Sequence, residues 1–292
     1  MIFITGASGF IGQHLLKALS PRYTVRALVR PDSPRKPVLM PQVQFIEGNV
    51  FDENLLENNL SGVKIVVHMA ALLRKNNPED IRRVNLEGTR LLVEAAKKND
   101  VEYIVYLSSE NALREDLKDE YAESKRAAEA IIRTFPQYLI LRPCFIYGKG
   151  DNHGLGRLVS LIQNHKIVPL FGGLKTQTQP MYIDDFVQLI LNAIERKIQG
   201  EFVIGGPQKV TLNEFLIKAA NAQRKKPFFL TLPYLIFYLV AKVCDHLSPS
   251  FGWGTVQLEN LYKSRTYPEI SAHTFAIQPR DVDAGLKSWL GN

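Results

Sequence analysis

The sequence predicts an α/β fold built on a doubly wound parallel sheet, followed by a smaller C-terminal lobe. Short apolar runs of strand length alternate with segments of helical period through the first half of the chain. These runs are apolar on both faces, as in a sheet covered by helices, and the first leads directly into a glycine-rich turn. Right-handed crossovers between such strands give a Rossmann-type arrangement, which binds ligands at the carboxyl ends of its strands.

Six apolar runs are predicted strands, and the segments between them are predicted helices. The strands are 2–4, 24–29, 43–46, 64–69, 103–107 and 138–141, and the helices carry apolar faces at 11–19, 84–96 and 127–132. The alternation ends at Arg142-Pro143, so we expect a Rossmann lobe over 1–147, to which later segments return, and mainly a second lobe over 148–292. Later helices are predicted near Asp184, after the capping box Thr211 to Glu214, and over 280–290.

Composition limits the classes of protein that this chain can belong to. It has 292 residues, 46% of them hydrophobic and 22% charged, with a mean hydropathy of −0.09, which excludes disordered and collagen-like proteins. Cys144 and Cys244 form no Cys/His cluster, so we expect neither a disulfide scaffold nor a metal site. The N-terminus has no basic segment or cleavage signal before its glycine turn, and the cysteine content agrees with a cytoplasmic location.

Two features suggest other partners at first sight. The segment 227–241 is uncharged and mostly apolar, but it is shorter than the roughly 18 residues of a membrane span, and Pro233 interrupts it. It is therefore predicted to be a buried or docking helix.

The net charge of +7 arises largely within residues 1–40, where Asp32 is the only acid. A basic end beside a phosphate-binding turn indicates a small anionic ligand, and we expect no nucleic-acid partner.

The glycine turn Thr5-Gly6-Ala7-Ser8-Gly9-Phe10-Ile11-Gly12 indicates a dinucleotide site. It follows a strand and opens a helix, where glycines let the backbone approach a pyrophosphate and the helix N-terminus offers free N–H groups. The alternative is a tight turn with no ligand.

The second strand ends in Arg30, at the position where an acid would select NAD, so the sequence favours NADP. Arg26 and Arg35 are also near, and Asp32 keeps NAD possible. These arginines can alternatively form a solvated face.

Tyr121 and Lys125 are the predicted acid/base pair. Their spacing places both on one face of a helix. A tyrosine pKa near 10 must fall by about 3 units, or roughly 4 kcal/mol, for proton transfer at neutral pH, and an ammonium about 4 Å away supplies that much. Tyr238 and Lys242 have the same spacing, but Tyr121 follows a strand that ends in Ser109, whose hydroxyl can bind a reacting oxygen. The alternative for Tyr121 is a surface tyrosine beside a solvated lysine.

With these residues in hand, the chain resembles the extended short-chain dehydrogenase/reductase family, also called the NAD-dependent epimerase/dehydratase family. The resemblance covers nearly the whole chain. Beyond the glycine turn and the Tyr121/Lys125 pair, its motifs are His68-Met-Ala70-Ala71, Asn85-Leu-Glu-Gly88-Thr89, Arg142-Pro143-Cys-Phe-Ile146-Tyr147-Gly148, Met181-Tyr182-Ile183-Asp184-Asp185 and Phe202-Val-Ile-Gly205-Gly206. It implies an NAD(P)-dependent enzyme that transfers hydride, often acting on a nucleotide sugar. It also implies that the Rossmann lobe holds the cofactor and that the smaller C-terminal lobe, 148–292, is mainly a substrate-binding lobe.

The resemblance also implies roles for individual residues. Tyr121, Lys125 and Ser109 match the catalytic set, and Asn85 would support it. The residues that would hold cofactor are Gly6, Ser8, Gly9, Phe10, Ile11, Gly12, Arg30, Asn49, Val50, Ala70, Ala71, Tyr121, Lys125, Pro143 and Ile146. Three departures are visible: Asn49 replaces the usual aspartate, the interval from Ser109 to Tyr121 is short, and no tyrosine-glycine pair follows Ser109. The last two concern a loop that commonly lines the substrate pocket.

The substrate class stays open on sequence alone. The stretch Pro169-Leu-Phe-Gly172-Gly173 is similar to branches near the mitochondrial complex I accessory subunit, so a non-catalytic, cofactor-binding structural or regulatory protein is the alternative. The ending Pro279-Arg280-Asp-Val-Asp-Ala-Gly285-Leu286 is similar to hydroxysteroid dehydrogenases and flavonol reductases. A homodimer through the helices up to and including Tyr121 is common among relatives and is expected here.

Overall fold

The computed structural model describes residues 1–33, 40–73, 77–116, 119–152, 154–247, 254–262, 267 and 274–291. The chain divides into two compact units. The first comprises Met1–Pro143, Val187–Val203 and His273–Ile277, and the second comprises Cys144–Phe186, Ile204–Ala272 and Gln278–Asn292. The change of unit at Pro143 lies close to the boundary that the sequence predicts at residue 147, and later segments return to the first unit.

The elements alternate in the order that the sequence predicts. Up to Pro143 they are β1 (Ile2–Thr5), α1 (Phe10–Leu19), β2 (Val25–Val29), β3 (Val43–Glu47), α2 (Glu53–Leu60), β4 (Ile65–His68), α3 (Pro78–Arg82), a π-helical turn (Arg83–Glu87), α4 (Gly88–Lys98), β5 (Tyr103–Leu107), a 3₁₀ turn (Glu110–Leu113), α5 (Glu120–Ile132) and β6 (Tyr138–Pro143). From there they are β7 (Ile146–Tyr147), α6 (Gly154–Asn164), β8 (Ile167–Phe171), β9 (Gln177–Thr178), β10 (Met181–Tyr182), α7 (Ile183–Arg196), β11 (Gly200–Ile204), β12 (Val210–Thr211), α8 (Leu212–Ala222), β13 (Phe228–Leu232), α9 (Tyr234–Leu247), α10 (Thr255–Leu261) and α11 (Val282–Leu290).

A seven-stranded sheet forms the centre of the first unit. Its strand order is β11-β6-β5-β4-β1-β2-β3, and every pair from β6 to β3 is parallel. All four residues of β1 are buried, which explains its uninterrupted apolar sequence. The chain order reverses between β1 and β4, so the carboxyl ends of these strands form the crevice where such sheets bind ligands. The predicted doubly wound α/β fold is confirmed.

The described part of the second unit contains three two-stranded sheets together with helices. Its aromatic core centres on Tyr147, whose ring lies 5.3 Å from Phe215 and 5.7 Å from Tyr182 between centroids. The capping box at the start of α8 is confirmed: Thr211 Oγ1 accepts from Glu214 N at 3.1 Å, and Glu214 Oε2 accepts from Thr211 N at 2.7 Å. These two bonds satisfy backbone donors that have no partner within the helix.

The prediction of one buried or docking helix over 227–241 is wrong in part. Residues Phe228–Leu232 form β13, which pairs in parallel with β8, and the helix begins only at Tyr234, after Pro233. Several side chains of α9 are exposed, so this helix is not buried. Proline fixes its own φ and disfavours helix in the preceding residue, which explains why the strand ends there. Over the described residues, no helix is long and apolar enough to cross a membrane.

Candidate active site

A cavity of about 160 Å³ opens at the carboxyl ends of the strands on either side of the β1/β4 switch point. Eight of the predicted cofactor-binding residues line it: Gly6, Ser8, Gly9, Arg30, Asn49, Val50, Ala70 and Ala71. They come from the glycine turn and from the segments that follow β2, β3 and β4. The fold therefore brings four separate stretches of sequence to one crevice, as an extended dinucleotide requires.

The glycine turn is tight enough that a side chain at Gly6 or Gly12 would collide with neighbouring backbone atoms, and a turn of this kind suits a pyrophosphate. Gly6 has a φ of +74°, and a Cβ on it would lie 2.7 Å from the backbone N of Ala70. A Cβ on Gly12 would lie 2.3 Å from the carbonyl oxygen of Gly6, so α1 begins against the turn itself. The helix α1 begins at Phe10, directly after Gly9 of the cavity lining, and a helix N-terminus at this position is suited to a bound anion.

A buried histidine joins the glycine turn to the segment after β4. His68 lies between two threonines, with 2.6 Å from its Nδ1 to Thr5 Oγ1 and 2.9 Å from its Nε2 to Thr89 Oγ1. Thr89 donates its own hydrogen to the Asn85 carbonyl and Thr5 Oγ1 accepts from Ala70 N, so His68 donates from Nε2 and accepts at Nδ1. Burial, together with the charge of Lys125, lowers the pKa of His68 to about 3, so the ring is neutral.

Arg30 contributes a positive charge to the lining of the cavity. It follows β2 directly and lines the cavity, and its Nε lies 3.7 Å from Asp32 Oδ1 in an exposed ion pair. Arg26 is engaged elsewhere: its guanidinium donates to Gln44 and to the carbonyls of Asn59 and Ser61, at 2.9 to 3.2 Å. Arg35, the third arginine considered from the sequence, lies outside the described residues.

Ser109 lies at the end of the segment that follows β5 and caps the 3₁₀ turn. Its Oγ accepts a hydrogen bond from Asn111 N at 3.2 Å, and the residue is buried. This contact uses a lone pair of the hydroxyl oxygen, and the O–H hydrogen is left to donate to another oxygen. The neighbouring Ser108 donates to Glu129 at 2.6 Å, which fixes the chain immediately before Ser109.

Tyr121 is positioned by the start of α5. The N-cap residue Asp119 accepts from Tyr121 N at 3.0 Å and from Ala122 N at 3.3 Å, so Tyr121 occupies the first turn. Its carbonyl accepts from Ser124 Oγ, which in turn accepts from the side-chain amide of Asn85. Asn85 lies in the π-helical turn and also holds both backbone groups of Leu72, at 2.7 and 3.0 Å. One amide therefore ties a cavity-lining segment to the helix that carries Tyr121.

Lys125 lies one helical turn after Tyr121 and is 2% exposed. Its ammonium donates to Tyr106 Oη at 3.2 Å and to the Leu107 carbonyl at 2.7 Å. Burial lowers the pKa of Lys125 to about 7, against an opposing effect of the Glu129 charge. Burial and then the charge of Tyr121 raise the pKa of Tyr106, which places Tyr121, Lys125 and Tyr106 in one electrostatic cluster beside the end of β5.

The structure also adds residues that sequence reasoning missed. Tyr106 was assigned only to a strand, although its hydroxyl contacts Lys125. Further cavity-lining residues that were not predicted are Leu28, Gly48, Phe51, Met69, Leu72 and Val84. The predicted residues Phe10, Ile11, Gly12, Tyr121, Lys125, Pro143 and Ile146 are not part of that lining; Pro143 ends β6 in the first unit, and Ile146 lies in β7 of the second.

The buried ammonium predicts how stability varies with pH. Between about pH 7 and 10.5, Lys125 is protonated in the unfolded chain and largely deprotonated in the native one, so the unfolded state binds more protons. The free energy of unfolding should then rise with pH by up to about 1.4 kcal/mol per unit across this window. We expect Lys125→Met to remove this rise, as measured by urea unfolding from pH 7.5 to 9.5. Lys97→Met, an exposed change on α4, is the control, and an unchanged slope in the Lys125 variant would contradict the prediction.

Comparison with known proteins agrees with this geometry. The model of the NAD dependent epimerase/dehydratase family matches residues 2–205. The chain belongs to this family and is an NAD(P)-dependent enzyme of it, as the sequence predicts.

Several relatives share most of the chain. A ceramide reductase of Caulobacter vibrioides is 31% identical and aligns over 80% of this chain and 74% of its own. An N-acetyl-alpha-D-glucosaminyl-diphospho-ditrans,octacis-undecaprenol 4-epimerase of Escherichia coli O157:H7 is 26% identical over 98% and 92%. The mouse mitochondrial NADH dehydrogenase [ubiquinone] 1 alpha subcomplex subunit 9 is 24% identical over 91% and 72%. The relatives that this chain matches therefore include proteins named as enzymes and one named as a subunit of a complex.

Solved structures show the same fold. The UDP-glucose 4-epimerase of Thermus thermophilus, in complex with NAD, superposes with a TM-score of 0.68 at 25% identity. The match covers 80% of this chain and 85% of that one.

Proposed function

We propose that this protein interconverts a carbonyl and an alcohol on its substrate by hydride transfer, with Ser109, Tyr121 and Lys125 as the catalytic residues. A single observation carries the proposal: Lys125, one helical turn after Tyr121, is buried, and its ammonium donates to the Leu107 carbonyl at the end of β5 at 2.7 Å, two residues before Ser109. Burial of an ammonium without a carboxylate in direct contact costs free energy. Ionisable groups whose pKa values are shifted in this way cluster at functional sites. A nicotinamide cofactor, when bound, supplies or accepts the hydride.

The three side chains have different roles: one donates a hydrogen bond, one transfers a proton and one supplies positive charge. In the reductive direction Ser109 donates a hydrogen bond to the carbonyl oxygen, while the carbonyl carbon gains the hydride. Tyr121 gives its phenolic proton to the developing alkoxide, so the O–H bond of the alcohol forms as that of the tyrosine breaks. The phenolate regains a proton from solvent, and Lys125 stabilises it with positive charge. The alcohol direction is the reverse, with Tyr121 as base.

We propose NADP as the cofactor, with NAD as the alternative. The support is Arg30, a cation at the end of β2 that lines the cavity where an acid would select the ribose hydroxyl of NAD. The glycine backbone of the turn, with the small side chains of Ser8, Ala70 and Ala71, suits the pyrophosphate of either dinucleotide.

The Arg30→Ala variant tests this preference. We expect it to weaken NADP binding by about tenfold or more, since a charge-assisted contact to phosphate contributes roughly 1.5–3 kcal/mol, and to leave NAD binding nearly unchanged. Parallel calorimetric titrations with both cofactors measure this. The control is Arg26→Ala, whose guanidinium already bonds to Gln44 and two carbonyls, so its loss should not alter the preference. Equal losses for NADP and NAD in the Arg30 variant would contradict the assignment.

We propose that the substrate carries a long lipid chain. The names of two relatives support this, the ceramide reductase and the undecaprenol-linked epimerase. A nucleotide sugar is the alternative, favoured by the UDP-glucose 4-epimerase structure. A screen that follows NADPH absorbance with a long-chain keto lipid in detergent, and chromatographic analysis of UDP-glucose for its epimer or other products after incubation with NADP and with NAD, distinguishes them. Turnover of UDP-glucose alone would reject the lipid class, and turnover of neither, with cofactor binding intact, would favour a non-catalytic subunit.

We further propose that the protein is cytoplasmic and forms a homodimer through α4 and α5. The cytoplasmic location rests on the cysteine content, since neither Cys144 nor Cys244 takes part in a disulfide. The dimer rests on the adjacency of α4 and α5 and on small side chains along the outer part of α5, where Ala127 is half-buried and Ala130 is exposed. Sedimentation velocity tests it: Ala130→Arg should convert a dimer to a monomer.

A further inference from the structure

The second unit exposes a large apolar surface that the proposed chemistry does not use. It consists of the outer face of α9 and the beginning of β8 and β13, and we call it the apolar face. Its exposed members are Ile167, Phe228, Leu230, Leu235, Ile236, Leu239, Val240 and Val243. Phe228 is 65% exposed and Leu235 is 62% exposed, whereas side chains of this type are normally buried in a core. Exposed apolar clusters mark interaction sites.

The helix α9 is held in place by its other face. Phe237 stacks on Phe171 with 4.3 Å between ring centroids, and Tyr234 packs edge-on against Tyr262 at 4.8 Å. Residues 235, 239, 240 and 243 recur at the spacing of a single helix face, opposite to these rings. The exposure of the aliphatic side chains therefore follows from how the helix is anchored.

The exposed strand residues lie on the same side as α9. In the parallel pair, Ile167 is level with Phe228, and Phe171 is level with Leu232. Side chains two and four residues apart point to one face, so Ile167 and Phe228 share the face on which Phe171 contacts α9. The helix and the strand starts thus contribute to one surface.

Positive charge borders this surface. Lys166 and Lys226 are exposed immediately before the two strands, and Lys242 is exposed on α9. Between Glu214 and Asp245 the chain has only basic charged residues: Lys218, Arg224, Lys225, Lys226 and Lys242. A protein interface usually carries charges of both signs around aromatic and arginine anchors. Aliphatic side chains with exposed lysines beside them instead match a helix that lies in the headgroup region of an anionic bilayer. The acid on α9, Asp245, accepts hydrogen bonds from Thr255 N and Oγ1.

We propose that the apolar face docks the protein on the surface of a membrane that contains anionic phospholipids. The aliphatic side chains of α9, with Phe228, would enter the boundary between headgroups and acyl chains, and Lys166 and Lys226 would contact lipid phosphates. This is peripheral attachment, in agreement with the length of α9. The inference goes beyond the proposed reaction and does not depend on it, because it involves no residue of the catalytic cluster.

Flotation with vesicles tests the proposal on the whole protein. We expect binding to vesicles of equimolar phosphatidylglycerol and phosphatidylcholine, weak binding to phosphatidylcholine alone, and weaker binding as salt rises. Lys166→Glu with Lys226→Glu should lower the partition coefficient at least ~30-fold. The matched control is Lys17→Glu with Arg196→Glu, which changes the net charge equally in the first unit and should bind like the wild type.

A second variant tests the apolar contribution. Leu235→Gln with Leu239→Gln should abolish flotation, whereas Leu235→Met with Leu239→Met should retain it. Both pairs lie at exposed helix positions, so unchanged thermal unfolding and unchanged NADP binding verify the fold and separate this result from any failure of the catalytic assignment. Wild-type protein that stays unbound with both vesicle types would overturn the proposal. A glutamine pair that turns a dimer into a monomer in sedimentation, without any vesicle binding by the wild type, would assign the face to a second copy of the chain instead.

Discussion

Replacement of Tyr121 by phenylalanine is expected to lower kcat by about 10²- to 10⁴-fold while leaving the Kd for NADP within about twofold. The reason is geometric. The phenolic hydroxyl is the proton donor in the proposed step, whereas the backbone of Tyr121 and the ring position are set by Asp119 and Ser124 through main-chain contacts that phenylalanine keeps. Stopped-flow measurement of the chemical step, beside calorimetric titration of cofactor, separates the two quantities.

The chain supplies its own control for this variant. Tyr238 and Lys242 repeat the Tyr121/Lys125 spacing on α9, in the second unit. Tyr238→Phe should leave kcat unchanged, because the ring contact with Tyr234, at 5.9 Å between centroids, survives the loss of a hydroxyl. If Tyr121→Phe retained substantial turnover, the assignment of Tyr121 as proton donor would fail, and another group would have to supply the proton.

Much of the first unit was predictable because its signals are local. Strand β1, the glycine turn and α1 lie within nineteen consecutive residues, and burial on both sheet faces leaves an unbroken apolar run. The helical spacing of Tyr121 and Lys125 is likewise a local property. By contrast, the sequence predicts a helix where the structure has strand β13. The reason is that a short apolar run such as Phe228–Leu232 has no period that distinguishes a strand from a helix segment.

Contacts between distant residues could not be predicted. The two hydrogen bonds of His68 join residues 63 and 21 positions away, and nothing in the local sequence marks them. Tyr106 reads as a core strand residue, and only the path of α5 across the sheet brings the Lys125 ammonium to its hydroxyl. Sequence patterns specify elements, whereas side-chain partners depend on how those elements pack.

A buried ionic cluster between α5 and β6 belongs to this unpredicted class. Glu129 on α5 accepts two hydrogen bonds from Arg142, at 2.7 and 2.6 Å, and one from Ser108. Arg142 also contacts Glu201 on β11, so three elements of the first unit meet at these charges. Hydrogen bonds from Arg133 and Arg142 lower the pKa of Glu201 to about 2 despite its partial burial. The Glu201 carboxylate is therefore charged at neutral pH and well below it.

Glu129→Gln should destabilise the protein by about 3–5 kcal/mol, since it leaves the guanidinium of Arg142, which is 7% exposed, without its main counter-charge. It should also shift the activity profile to lower pH, because the charge of Glu129 raises the pKa of Lys125 and its loss lets that pKa fall further below about 7. Urea unfolding and the pH dependence of kcat measure the two effects. Glu123→Gln, an exposed change on the same helix, should alter stability by less than about 1 kcal/mol and leave the profile in place. A stable Glu129 variant with an unshifted profile would show that this cluster neither holds α5 on the sheet nor supports the charge of Lys125.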